Sequence, residues 1–151
     1  MKVWQRPEQP VAQQRKSNPI EEQESYRWLE GYPDACKVKQ ACPTTLVITL
    51  ADREGDIQEW LVDAMRREPD QRAACIIRAK CHRCLAPGAA QRYVWAELPQ
   101  TPALGTLTIA LARQPERPPR PVPLSITAQL VTFQGARRPG GTLPPVTLSA
   151  V

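Results

Sequence analysis

The chain has 151 residues, of which 42% are hydrophobic and 23% are charged, as in globular proteins large enough for one ordinary domain. No segment approaches the roughly 18 consecutive apolar residues of a membrane helix, and the N-terminus lacks the apolar stretch of a secretory signal. These features exclude a membrane-spanning protein and a small secreted disulfide scaffold. They predict a soluble, cytoplasmic protein that does not bind membranes.

Charge is distributed unevenly along the chain. Residues 1–70 carry 10 Lys and Arg against 13 Asp and Glu, whereas residues 71–151 carry 10 against 2, so the net charges are −3 and +8. A basic half is the typical electrostatic signature of a polyanionic partner such as DNA. Because 15 of the 20 cationic residues are Arg, a codon bias toward arginine is an equally good interpretation.

The first predicted helix begins at Asn18 and Pro19, a capping residue followed by a residue that suits the first helical position. Glu21 completes a capping box with Asn18. One face of this helix can pack, because suitable residues recur at helical spacing: Ser25, Trp28, Leu29 and Tyr32. Gly31 and Pro33 predict its end.

Two predicted strands flank a second helix. Residues 44–51 are an apolar run rich in β-branched residues, which predicts a strand buried on both faces. A helix capped by Asp56 follows, with one apolar face formed by Ile57, Trp60, Leu61, Ala64 and Met65. Residues 74–79 predict a second buried strand. The order of helix, strand, helix and strand indicates an α/β unit.

After residue 85 the pattern changes, and ten of the 17 prolines lie in residues 99–151. Alternating segments at 106–111, 124–131 and 146–151 predict antiparallel β-structure, joined by Pro-, Arg- and Gly-rich linkers at 113–123 and 134–145. The predicted fold class is therefore α/β plus β. We assign residues 1–84 to an α/β core and residues 85–151 to a β-rich part.

Asp52 is the sharpest candidate for chemistry, because it lies where a predicted strand ends. In open α/β sheets, ligands bind at the carboxyl ends of the strands. A carboxylate at this position can bind a hard cation such as Mg²⁺ or Mn²⁺ through oxygen. The alternative is that Asp52 caps the structure that follows, since Asp is common at such junctions.

The five cysteines and a basic pair offer weaker candidates. An odd number of cysteines without a secretory signal favours reduced thiols. Cys81 and Cys84 have the spacing of half a zinc site or of a redox pair, or they are incidental. Arg137 and Arg138 lie in a Gly- and Pro-rich loop, where they either contact phosphates or are simply solvated.

Three motifs occur in the front half in a fixed order. They are Glu24-Ser25-x-x-Trp28-Leu29, then Asp52-Arg53-Glu54-Gly55-Asp56-Ile57, then Ile77-Arg78-Ala79-Lys80. Together they resemble the insertion-sequence-4 family of bacterial cut-and-paste DNA transposases, over about residues 3–84. The back half resembles, in architecture only, the β-strand insertion of that family. The resemblance implies an RNase H-like core.

The resemblance also implies roles for three residues. Asp52 matches the second acid of an Asp-Asp-Glu triad that binds Mg²⁺ or Mn²⁺, Arg78 matches an arginine that contacts transposon-end DNA, and Lys80 lies beside it. The family's first acid lies on an earlier strand than the one expected at Lys2–Trp4, and its third acid lies on a helix expected beyond Val151.

With one of three acids, the chain is expected to be a transposase fragment that does not cleave DNA alone and binds no metal tightly. Its expected partners are transposon-end DNA and a full-length transposase, and homodimers are expected only of the intact relative. Two alternatives remain open. One is a non-catalytic DNA-binding remnant that competes with intact transposase, and the other is a small zinc protein built on Cys81 and Cys84.

Overall fold

A computed structural model describes residues 20–23 and 25–151, so the predicted strand end at Lys2–Trp4 and the predicted cap at Asn18 and Pro19 lie outside the described residues. Two compact units are present. The first unit combines the described residues up to Lys80 with Arg137–Leu143, and the second unit combines Cys81–Ala136 with Pro144–Val151. Across the described residues there are three α-helices and four two-stranded sheets. None of the helices in this part of the chain has the length and apolarity needed to cross a bilayer.

The first helix is longer than predicted. A 3₁₀ turn at Ile20–Glu22 precedes α1, which spans Tyr26–Ala41 and runs through both Gly31 and Pro33. The predicted end at these two residues is therefore wrong. Pro33 has no N–H to donate to the preceding turn, which normally breaks a helix. The helix continues because Tyr32 and Cys36, one turn apart, are both buried in the core.

The predicted strand–helix–strand order of the first unit is confirmed. It consists of β1 (Ile48–Ala51), a 3₁₀ turn (Arg53–Gly55), α2 (Gln58–Arg66) and β2 (Ala74–Ile77). The two strands are parallel, in a register that pairs Ile48 with Ala74 and Ala51 with Ile77. Both strands are shorter than predicted.

The prediction that these strands are buried on both faces is wrong. Each strand alternates between exposed and partly buried residues. Thr49 and Cys75 lie on the covered face, whereas Leu50 and Ile76 are 68% and 60% exposed. The reason is that α1 and α2 contribute to one core cluster, which packs against a single face of the β1–β2 pair.

Trp60 is the centre of this core and has no exposed surface. Its ring stacks on Trp28 with centroids 5.6 Å apart, and Tyr32 packs against it at 5.7 Å. The Tyr32 hydroxyl donates a 2.7 Å hydrogen bond to the Ala73 carbonyl oxygen, and burial raises the pKa of this hydroxyl well above its ordinary value. The core therefore joins α1 and α2 to the residue that precedes β2.

The second unit confirms the predicted antiparallel β-structure. It contains α3 (Val94–Glu97) and two antiparallel strand pairs, namely β3 (Gly105–Leu111) with β4 (Arg120–Ile126), and β5 (Gln129–Phe133) with β8 (Val146–Ala150). The segment predicted as one strand at 124–131 is divided between β4 and β5. The buried apolar side chains of the second unit are Leu85, Val94, Val131, Phe133 and Val146.

The predicted linkers contain structure as well. The Pro-rich linker at 113–123 contributes the first half of β4, where Pro121 and Pro123 pair with Ala110 and Thr108. A two-stranded sheet tolerates these prolines because each strand has a free edge that needs no donor. The linker at 134–145 contains a short hairpin, β6 (Arg137–Arg138) with β7 (Gly141–Thr142), which belongs to the first unit.

Candidate functional site

The candidate site lies at the carboxyl ends of β1 and β2. Asp52 directly follows β1, and Arg78 directly follows β2. The ladder continues past the strands, since the Arg78 N–H donates a 3.0 Å hydrogen bond to the Ala51 carbonyl oxygen. Both side chains are exposed. The structure thus brings Asp52 and Arg78 to one edge of the parallel pair, and Lys80 follows two residues after Arg78.

Asp52 caps the 3₁₀ turn that follows β1. Its Oδ1 accepts a 2.9 Å hydrogen bond from the Glu54 N–H. Oδ2 accepts no hydrogen bond from any residue in 20–23 or 25–151. The capping interpretation of Asp52 is therefore correct, and it does not exclude the metal-binding one, because one oxygen of the carboxylate remains open to solvent.

Asp56 is not at the N-cap position of α2, so the predicted cap position is wrong. The N-cap position of α2 is Ile57, which provides no capping side chain. Asp56 is 9% exposed, and its Oδ2 accepts a 2.7 Å hydrogen bond from the Lys80 N–H. The carboxylate therefore ties the turn after β1 to the segment after β2. This bond spans 24 residues, and no local pattern in the sequence indicates it.

Lys80 is held at this edge through its backbone, while its side chain is exposed. Within the described ranges, neither Lys80 nor Arg78 forms an ion pair through its side chain. The two cations are consequently available to a polyanion. Glu54 differs from Asp52 because its carboxylate forms an ion pair with Arg27 of α1.

Gly55 lets the turn pack closely on the core. A Cβ at this position would lie 2.5 Å from the Ala51 Cβ and 2.8 Å from Cζ3 of Trp60. Such separations do not occur between real side-chain atoms, so any larger residue would displace the turn. Sequence reasoning treated Gly55 only as a motif position and missed this role.

The carboxylates near β1 differ in their ability to bind a cation. Glu54 is paired with Arg27 and Asp56 accepts a hydrogen bond from the Lys80 N–H, whereas the described residues give Asp52 no cationic partner, and one of its oxygens accepts no hydrogen bond. No group of three or more His, Cys, Asp or Glu side chains suited to a metal ion exists in the part of the chain that the structure describes. Asp52 fits one ligand position of a divalent cation, and further ligands would have to come from other groups.

The remaining sequence candidates are the cysteine pair and the basic pair. Cys81 is exposed and Cys84 is partly buried, and both are free thiols of the second unit. Arg138 forms a bidentate ion pair with Glu59 of α2, with Nη2 3.0 Å from Oε2. Arg138 therefore stabilises the β6–β7 hairpin against α2, rather than being simply solvated.

Comparison with known proteins adds no further assignment. No protein-family model matches the chain, and no curated protein matches it at a significant level.

Proposed function

We propose that the chain is part of a cut-and-paste DNA transposase of the Asp-Asp-Glu type, with a partial RNase H-like core. The single observation that carries this proposal is the juxtaposition of Asp52 and Arg78 at the carboxyl ends of two parallel strands. Ligands of open α/β sheets bind at such edges. The three ordered motifs that carry the family resemblance include both residues.

In this proposal Asp52 provides one oxygen ligand to a divalent cation, Mg²⁺ or Mn²⁺. When bound by a full set of acids, the cations of such a site lower the pKa of bound water and stabilise the attacking and leaving oxygens of an in-line displacement. Asp52 itself contributes only one ligand atom to this chemistry. It holds one open carboxylate oxygen at a fixed position, because its other oxygen is bonded to the Glu54 N–H.

Arg78 and Lys80 bind the DNA backbone in this proposal. Both follow β2, both are exposed, and both extend from the edge that carries Asp52. Cations at such positions neutralise phosphates and fix the register of a duplex without reading its sequence. We therefore expect weak, sequence-tolerant binding by the isolated chain, with transposon ends as the DNA of the intact relative.

One carboxylate cannot hold two metal ions, so the chain alone is proposed to bind DNA without cleaving it. The proposed setting is the cytoplasm of a bacterium, where a full-length transposase would be a second partner. A closely related candidate function is a non-catalytic remnant that competes for transposon ends. It is favoured by the exposed side chains of Arg78 and Lys80, unpaired among the described residues, at the edge that carries Asp52.

The DNA-binding part is tested with a labelled 30-base-pair duplex of mixed sequence over a range of salt concentrations. Arg78→Ala should weaken binding and lower the slope of log Kd against log salt by about 1, as expected for one lost phosphate contact. Arg66→Ala removes the same charge from an exposed position in α2 and is the matched control. An affinity that does not change with salt would contradict the electrostatic basis of the proposal.

The metal-binding part is tested separately by titrating Mn²⁺ and following its electron paramagnetic resonance signal. Asp52→Asn should weaken the low Mn²⁺ affinity of the chain, whereas Asp70→Asn, at an exposed turn, should not. Supercoiled plasmid incubated with Mn²⁺ should remain intact. Strand cleavage that Asp52→Asn abolishes would show that the chain is active alone, and equal Mn²⁺ binding by both variants would remove the metal role of Asp52.

A further inference from the structure

A cluster of three aromatic rings in the second unit plays no part in the transposase proposal. We call His82, Tyr93 and Trp95 the aromatic stack. The His82 ring centroid lies 4.5 Å from that of Tyr93 and 4.8 Å from that of Trp95, and the His82 and Trp95 planes differ by only 14°. The His82 ring thus contacts both aromatic rings at the start of α3.

Backbone hydrogen bonds hold the aromatic stack in place. The Val94 N–H donates to the Arg83 carbonyl oxygen at 3.2 Å, and the Leu85 N–H donates to the Arg92 carbonyl oxygen at 2.9 Å. These bonds join the segment that carries His82 to the segment that carries Tyr93 and Trp95. Val94 and Leu85 are themselves buried, so the stack rests on a packed base.

Trp95 is open to solvent although indole rings are usually well buried. One face of its ring lies parallel to His82, yet 51% of the residue is exposed. Val94 and Glu97, on the other side of the same short helix, are 4% and 7% exposed. The helix therefore packs inward through Val94 and Glu97 and leaves about half of the Trp95 surface open to solvent.

The surroundings of the stack are cationic. Arg92 places its guanidinium carbon 5.3 Å from the Tyr93 ring centroid. The second unit has five Arg and two Glu, and within the described residues neither acid forms an ion pair with Arg92. Glu97 is buried, where it accepts hydrogen bonds from the Gln91 N–H at 2.7 Å and from Gln129 Nε2 at 3.1 Å. Glu116 lies in the connection between β3 and β4.

We propose that the aromatic stack binds the unpaired bases of single-stranded DNA, with a base stacked on Trp95 and an adjacent phosphate near Arg92. Every nucleobase offers a π-face, so an exposed aromatic ring beside cations binds single strands with little sequence preference. The bases of a duplex are already stacked on one another and cannot use this surface. The inference goes beyond the proposed function and does not depend on it, since it uses a different unit and a different ligand.

The test compares two labelled 15-nucleotide probes by fluorescence anisotropy. One is oligothymidylate, and the other has the same sugar-phosphate backbone with abasic sites. The full chain should bind oligothymidylate more tightly and should show quenched tryptophan emission on binding. Trp95→Ala should weaken oligothymidylate binding roughly 5- to 100-fold, the range of one base–aromatic stack, and should leave the abasic probe unaffected. Trp95→Phe should retain most of the affinity.

Two matched variants separate stacking from charge and from general surface effects. Arg92→Ala should weaken both probes, more than Arg113→Ala, which removes the same charge from the β3–β4 connection. Leu130→Ala removes another exposed apolar side chain of the second unit and should change neither affinity. The Arg78→Ala duplex titration tests only the first unit. If Arg78→Ala left duplex binding unchanged, the single-strand results for the aromatic stack would still stand.

Several outcomes would overturn the inference. Equal affinity for the two probes would show that bases are not recognised. Equal losses for the two probes in Trp95→Ala, or equal losses of oligothymidylate binding in Trp95→Ala and Trp95→Phe, would show a structural role. A changed sedimentation coefficient in Trp95→Ala with unchanged oligothymidylate affinity would identify the stack as a protein interface instead.

Discussion

The close packing of Gly55 gives the sharpest quantitative prediction. In Gly55→Ala, the new methyl group would lie 2.5 Å from the Ala51 Cβ and 2.8 Å from Trp60 Cζ3. Neither neighbour can move freely. The Ala51 Cβ is fixed by the backbone of β1, and Trp60 is fully buried and stacked on Trp28.

The size of the effect is the difference between two terms. Inserting a methyl group into a packed core typically costs about 1–3 kcal/mol. Replacing Gly by Ala also restricts the unfolded chain, which stabilises a protein by about 0.4–1 kcal/mol where the native backbone allows it. We therefore expect Gly55→Ala to lower the free energy of unfolding by up to about 2.5 kcal/mol.

The assay is urea unfolding followed by tryptophan fluorescence, with Gly31→Ala as the matched control. Gly31 lies inside α1, and nothing is within 4 Å of a Cβ built on it. Ala is favoured over Gly in a helix by about 1 kcal/mol, so this variant should be stabilised. The two identical substitutions should therefore shift the midpoint in opposite directions. Stabilisation by both would refute the packing assigned to Gly55.

Three further predictions concern the same chain. Asp56→Ala should lower the free energy of unfolding by about 1–3 kcal/mol, because the Lys80 N–H loses a charged acceptor, whereas Asp56→Asn should cost less. Burial raises the pKa of the Cys75 thiol above its ordinary value of about 8.5, so the folded state retains this proton more tightly than the unfolded chain does. The protonated Cys75 thiol contributes fully to stability below about pH 8.5, and this contribution should decline as the pH rises through the folded-state pKa. Cys75→Ala should make the fall of the urea midpoint with rising pH less steep. Purified protein should contain less than one zinc per chain by elemental analysis, and a full equivalent that Cys84→Ser removes would establish a zinc site.

Local periodicity was sufficient to predict part of the fold. The helical spacing that includes Trp60 and Ala64 predicted the face of α2 that the structure buries. The β-branched run before Asp52 predicted β1, because such side chains favour a pleated, partly buried surface. These signals are contained within a dozen residues, so no knowledge of distant packing was needed.

The end of α1 could not be predicted in this way. Gly31 and Pro33 are unfavourable in a helix interior, and taken locally they indicate termination. Burial of Tyr32 and Cys36 outweighs this cost, but their partners are Trp60 and Ala73, which lie far along the chain. The sequence contains the residues of this contact but gives no local sign that they meet.

The position of the candidate site could be predicted from the sequence, but the roles of its two aspartates could not. Asp52 and Arg78 each follow a predicted strand, so their meeting at one edge follows once the strands are parallel. The capping roles of Asp52 and Asp56 were harder to distinguish, since both are Asp residues before a predicted helix. The decisive contact is the bond from the Lys80 N–H to Asp56, which depends on the tertiary arrangement of the first unit.

The position of Asp52 depends on contacts that Asp52 itself does not make. The turn that it caps is held by the Arg27–Glu54 ion pair, by the packing of Gly55 on Trp60, and by the bond from Asp56 to the Lys80 N–H. These contacts connect the turn to α1, to α2 and to the end of β2. Because the last of them also fixes the segment that carries the two exposed cations, loosening the core would move the carboxylate and the cations together. The contacts that stabilise the first unit therefore also fix the geometry of its proposed site.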